Sequence, residues 1–123
     1  MDEPDFRELT DDERAVLARL LEVPFEGRDE VKAQLKGAVV REIAGAGDHS
    51  GSIEFKVKKA SKAPVRWSVP VEGVGHDVDG VEVDYLLHFK NGLLDELEIV
   101  KADGSPLKRK PPAAELSVRL LSY

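Results

Sequence analysis

The spacing of apolar positions changes period once along the chain, near residue 38. Before that point the period is helical: Val16, Leu17, Leu20 and Leu21 fall on one face of an α-helix. Thr10-Asp11-Asp12-Glu13 supplies its start, because Thr10 and Glu13 can each satisfy the other's backbone N–H. The three acids also suit the positive end of the helix. Pro24 disfavours helix in the residue before it, so the helix should end at Glu22 or Val23. A second, shorter helix is predicted from about Arg28 to Lys36, with Val31 and Leu35 as its buried stripe and Gly37 as a left-handed stop.

From Ala38 the period is two. Val39 to Ile43 reads as a strand, and Gly45 to Gly51 as a glycine-rich loop. Ile53, Phe55 and Val57 alternate with Glu54, Lys56 and Lys58, the pattern of a half-buried strand. Val65, Trp67 and Val69 predict another strand, ended or placed at an edge by Pro70, with Trp67 in the core. Gly73 to Gly80 reads as a second glycine-rich loop. Val81, Val83, Tyr85, Leu87 and Phe89 give the clearest strand, and Leu93 to Lys101 its hairpin partner. The loop length fixes which faces meet. A two-residue Asn91-Gly92 turn would set Leu87 opposite Glu96, mixing core and solvent faces. A three-residue Lys90-Asn91-Gly92 loop pairs Phe89 with Leu93, Tyr85 with Leu97 and Val83 with Ile99, and is the register expected.

Near the end, Leu116, Val118 and Leu120 alternate, whereas Leu116, Leu120 and Leu121 also share a helical face. The central Val118 and the lack of a cap after Pro112 favour a strand. The expected fold is α+β: two N-terminal helices packed on one face of an antiparallel sheet of five or six strands. One domain is expected over residues 1–123, with a lead-in (1–9), a helical hairpin (10–37) and the sheet (38–123).

The absence of cysteine excludes disulfides, thiol catalysis and cysteine-ligated zinc. No apolar run is long enough for a transmembrane helix, and the acidic first residues do not resemble a secretory signal, so cytoplasmic residence is the expectation. The net charge of −6 is uneven: residues 1–30 carry −7, 31–70 carry +5, 71–100 carry −7 and 101–123 carry +3. The overall sign argues against nucleic acid as a partner and suits a basic protein. Lys56, Lys58, Lys59 and Lys62, with Lys108, Arg109 and Lys110, lack the interleaved exposed aromatics of a nucleic-acid groove.

Phe6-Arg7-Glu8-Leu9-Thr10, Glu13-Arg14-Ala15-Val16-Leu17 and Pro24-Phe25-Glu26-Gly27 open the chain; Leu86-Leu87-His88-Phe89, Gly92 and Leu97-Glu98-Ile99 follow. With the proline-rich stretch near the end, this layout resembles a family of small uncharacterised, mainly actinobacterial proteins with no established activity. The resemblance implies the fold and no chemistry. Members of that family often carry a cysteine- and glycine-rich loop after the first strand; the matching stretch here, Gly45 to Gly51, has no cysteine.

Candidate chemistry is sparse. Asp48-His49 and His76-Asp77 sit in the two expected loops, so convergence of the loops would assemble His49, His76 and Asp77 into a metal site or a His/Asp catalytic pair. Turn chemistry alone also accounts for these residues. Gly45-x-Gly47 precedes a strand rather than the helix that phosphate binding needs. Asp77-x-Asp79-Gly80 lacks the outer acidic ligands of a calcium loop. No cofactor is expected. The outer face of the last hairpin carries more information. In the expected register Glu82, Asp84, Leu86 and His88 lie beside Leu94, Glu96 and Glu98, an apolar centre with an acidic rim. Three functions are therefore open. One is a non-enzymatic interaction module, in its most concrete form an immunity-type protein occluding a basic toxin through that face. The second is a small-molecule or metal-binding domain built on the two loops. The third is a small enzyme using a His/Asp pair. The chain itself is expected to be a monomer, or a homodimer through an exposed strand such as Val65–Val71.

Overall fold

The computed structural model describes residues 6–43, 51–58, 62–65 and 68–121. Helix α1 spans Asp11–Leu20 and α2 spans Arg28–Lys36. The strands are β1 (Val39–Glu42), β2 (Ile53–Lys56), β3 (Val71–His76), β4 (Glu82–Lys90), β5 (Leu93–Lys101) and β6 (Ser117–Leu120). A short 3₁₀ turn, Ala113–Glu115, precedes β6. All six strands form one antiparallel sheet in the order β1-β2-β5-β4-β3-β6, with both helices against one face. The fold is α+β, as the periodicity implies, and the last segment is a strand.

Helix α1 starts as the sequence predicts. The Glu13 N–H donates to Thr10 Oγ1 at 3.1 Å, and the Thr10 N–H donates to Glu13 Oε1 at 2.9 Å. Arg7 clamps the same carboxylate with two bonds of 2.8 and 2.9 Å, and its backbone bridges Val40, so the lead-in is tied to the β1 edge. Val16, Leu17, Leu20 and Leu21 are buried. On α2 the buried pair is Val31 and Gln34, while Leu35 is half-buried. Gly37 ends α2 with φ −111° rather than in the left-handed region; the left-handed glycine is Gly27, ahead of the helix, at φ 94°.

The stretch expected as a loop from Gly73 is largely strand β3. Its glycines are there for proximity. A Cβ on Gly73 would lie 2.9 Å from Leu20 Cδ2, and one on Gly75 2.7 Å from Pro111 Cβ. Bare backbone lets α1 and the 111–116 segment sit directly on the sheet. Only Asp77 to Val81 turns the chain into β4. Conversely, Val65 to Val69 is no strand where it is described: Ser68 and Val69 form a bend, and Ser68 accepts the Phe89 N–H at 2.7 Å. Pro64 and Pro70, lacking N–H groups, would break a ladder there. Trp67 lies outside the described residues.

The β4–β5 hairpin departs from the expected register in an informative way. The turn is the two-residue one, with Asn91 at φ 53° and Gly92 at φ 77°, the positive pair that a type I′ turn requires. Lys90 faces Leu93 and Phe89 faces Leu94; then one residue, Asp95, is bulged out and His88 faces Glu96. Beyond the bulge Leu87 meets Leu97 and Tyr85 meets Ile99. A bulge adds one residue to one strand and so reverses the parity that the short turn would otherwise impose. The apolar side chains of both strands therefore still face the helices.

Candidate functional site

The six-stranded sheet is covered by helices on one side, and its other side forms the candidate site. The cross-strand pairs set its rows. Glu98 faces Leu86, Leu86 faces Glu72 and Glu72 faces Arg119. In the next row Val100 faces Asp84, Asp84 faces Val74 and Val74 faces Ser117. Toward the turn, Arg41, Glu54, Glu96 and His88 follow one another across the sheet, and toward the other end Glu82 faces His76. Leu86 and Val74 are half-buried and Val100 is 38% exposed, so an apolar strip is flanked by Glu72, Glu82, Asp84, Glu96 and Glu98.

Several of these carboxylates have side-chain partners. His88 Nε2 lies 2.8 Å from Glu98 Oε1, Arg119 holds Glu72 at 2.5 Å, and Arg41 pairs with Glu54. Arg41 also stacks on Phe6, its guanidinium 4.5 Å from the ring centre, with the Lys56 ammonium at 5.4 Å. The face is thus basic and aromatic at the β1 corner and acidic over β4 and β5. Asp84 forms no ion pair among the described residues, and Arg119 offsets its charge only in part. Partial burial, then the neighbouring Glu82 and Glu72, push its carboxyl up to about 6, and its Oδ1 is buried with no hydrogen-bond partner. Glu96 is also raised, by burial first and by Glu98, Asp95 and Glu54 around it, against the lowering influence of His88.

Six of the seven residues expected on this face are there: Glu82, Asp84, Leu86, His88, Glu96 and Glu98. Leu94 is not; it is 3% exposed, in the core, because the two-residue turn sets it opposite Phe89. Asp84 faces Val100 rather than another carboxylate. Segment 117–120 extends the sheet beside β3. Glu72, Val74 and Arg119 join the face unforeseen, because β3 was hidden behind its glycines.

The loop-based candidates fare differently. His49, with Asp48 and the first glycine loop, lies outside the described residues. His76 is exposed at the end of β3, with Glu82 opposite. Asp77 is buried and fully engaged: it accepts the N–H groups of Val78, Lys108 and Arg109 at 2.6, 2.7 and 2.9 Å, and Lys101 Nζ at 2.9 Å. Burial alone would raise its pKa, but these four donors outweigh it and hold the carboxyl well below its usual range. A carboxylate so occupied serves to pin segment 108–109 to the β3–β4 turn, not to ligate a metal or orient a base. Lys101 Nζ completes its own shell with Asp79 Oδ2 at 2.6 Å and the Pro106 carbonyl at 3.2 Å. Among the described residues no three His, Cys, Asp or Glu side chains converge as a metal site. No described helix is long and apolar enough to cross a membrane.

Residues 6–111 match the model of a family described as a domain of unknown function, DUF6984. No curated protein and no solved structure matches the chain.

Proposed function

The chain belongs to that family of unknown function, and from the geometry of its open sheet we propose that it is a protein-interaction module whose outer face docks a basic protein partner. The observation that supports this reading is the strip Leu86, Val74 and Val100 flanked by five carboxylates, one of which, Asp84, has a buried oxygen lacking a partner. Apolar area supplies affinity at the centre of such a surface, and the charged rim selects the partner and speeds encounter. A partner lysine or arginine docking beside Asp84 would offset the charge of its carboxylate. The most specific form of the proposal is an immunity-type protein that occludes a basic toxin.

The test is affinity capture with the wild-type chain, followed by reconstitution with the purified partner. A basic partner is expected, bound more weakly as salt rises. Glu96→Lys with Glu98→Lys should weaken the complex at least about tenfold, since reversing rim charges turns attraction into repulsion. Leu86→Arg should do the same through the centre. A complex that survives both changes docks elsewhere, and the proposal is then wrong.

A further inference from the structure

We infer that the groove between α1 and α2, on the opposite side of the molecule from the acidic face, binds a single-chain anionic amphiphile: a carboxylate on an unbranched alkyl chain. The inference is independent of the docking role of the sheet. It starts from helix periodicity. On α1 the positions Arg14, Leu17, Ala18 and Leu21 form one stripe, and on α2 Arg28, Lys32 and Leu35 form another. The two stripes face each other across a cavity of about 370 Å³, within the size range of small-molecule sites.

The walls specify the ligand chemistry. Leu9, Leu17, Leu21 and Leu35 make an aliphatic floor, and Ala18, small and exposed, leaves the groove open above it. Among the described residues no aromatic ring, hydroxyl or amide side chain lines the cavity, so stacking of a base and hydrogen bonding of a sugar have no counterpart in them. An alkyl chain needs neither. The rim is cationic. Arg28 Nη1 reaches the Leu21 and Glu22 carbonyls at 3.4 and 3.3 Å, which seats its guanidinium at the C-terminal end of α1. Arg14 and Lys32 form no ion pair among the described residues, and the one acid on the rim, Glu22, is already held by Arg19 at 2.5 Å. Among the described lining residues three cations around an aliphatic floor thus meet no free counter-charge, and a ligand that is apolar at one end and anionic at the other complements both features.

The experiment titrates octanoate and decanoate into ¹⁵N-labelled protein and follows the backbone amides. Saturable shifts are expected at Ala18, Leu21, Lys32 and Leu35, with affinity rising about twofold to fourfold per added methylene. Decyltrimethylammonium, of equal chain length and opposite charge, should bind at least about tenfold more weakly. Arg14→Glu with Lys32→Glu should cost decanoate about tenfold, the order expected for reversing two exposed charges. Ala18→Trp should close the groove and abolish binding, and the less drastic Ala18→Leu should weaken it. Both changes are at exposed positions, and the same spectra report whether each variant is folded. Absence of shifts at these amides, or equal binding of the cationic and anionic chains, would overturn the inference. So would an acidic amphipathic helical peptide that shifts these amides where decanoate does not.

Discussion

Gln34 ties α2 to the β4–β5 turn, and replacing it tests how much that contact contributes to the fold. In the β4–β5 hairpin Lys90 and Leu93 form the pair next to the turn; the next pair, Phe89 and Leu94, turns its N–H groups away from the partner strand. Both need acceptors from outside the hairpin. Phe89 finds the Ser68 carbonyl at 2.7 Å. Leu94 points past the end of β2, which pairs with β5 only at Leu97 and Glu96, and finds Gln34 Oε1 at 2.9 Å. Gln34 Nε2 then donates to the Gly92 carbonyl at 2.9 Å, so one side chain of α2 holds both sides of the turn just before the bulge. Gln34→Leu keeps the approximate volume and removes both bonds. The Gly92 carbonyl keeps the Ala63 N–H at 2.8 Å, so its loss is modest, whereas the buried Leu94 N–H loses this acceptor. An orphaned buried donor costs about 1–3 kcal/mol and a lost second bond about 1 kcal/mol more, giving about 2–3 kcal/mol after some gain from the apolar side chain. A urea melt should show the midpoint falling by about 1–2 M at an m-value ordinary for this size. Amide exchange at Leu94 should accelerate in parallel. A midpoint within about 0.3 M of wild type, which is well below the smallest cost just estimated, would refute the reasoning.

Gly75→Ala should destabilise the fold by about 1–3 kcal/mol in thermal denaturation, because its Cβ would stand 2.7 Å from Pro111 Cβ and 3.1 Å from Leu116 Cδ2 in a packed interior. Asp77→Asn should speed hydrogen exchange at the Lys108 and Arg109 amides while leaving the α1 amides unchanged, since those two N–H groups are held by its carboxylate. Asp84 has a folded pKa of about 6 against an ordinary 3.8, so the folded state binds its proton more tightly and stability falls as pH rises between about 4 and 6. Asp84→Asn should therefore stabilise the protein at pH 7.5 by about 1–2 kcal/mol after allowance for solvent screening, and not at pH 4, as read from urea melts at the two pH values.

The legible parts of the sequence were those governed by local rules. The capping box at Thr10, the α2 boundaries and the full extent of β5 follow from side-chain periodicity and backbone donors a few residues apart. The unread parts depend on distant partners. Gly73 and Gly75 look like loop residues until Leu20, Pro111 and Leu116 are known to press on them. The hairpin offered two registers, one with the favoured turn and one with matched faces. The molecule keeps both by bulging Asp95, beside a contact supplied by Gln34, 60 residues away in sequence from Leu94. Leu94 moved from the expected rim to the core because the two-residue turn sets it opposite the buried Phe89. Asp77 was visible as a carboxylate beside a histidine, but its use by Lys101 and two amides of the 108–109 segment was not, since nothing local reveals a buried ion pair.

The acidic face makes a different demand on stability. Carboxylates directly across a sheet repel, and Glu54 faces Glu96. Arg41 offsets Glu54 and Arg119 offsets Glu72, while His88 Nε2 lies within hydrogen-bond distance of Glu98. Asp84 lies between Glu82 and the apolar strip; Arg119 lowers its pKa, but less than burial, Glu82 and Glu72 raise it. The same group thus costs the isolated protein stability when ionised and presents a charge that an incoming cation would meet. The two effects have opposite signs in one substitution. Asp84→Asn relieves the isolated fold near neutral pH, yet it removes the charge that a basic partner would meet. If the sheet face is the docking surface, the more stable variant is the weaker binder, and a variant that improved both properties would separate Asp84 from the interface.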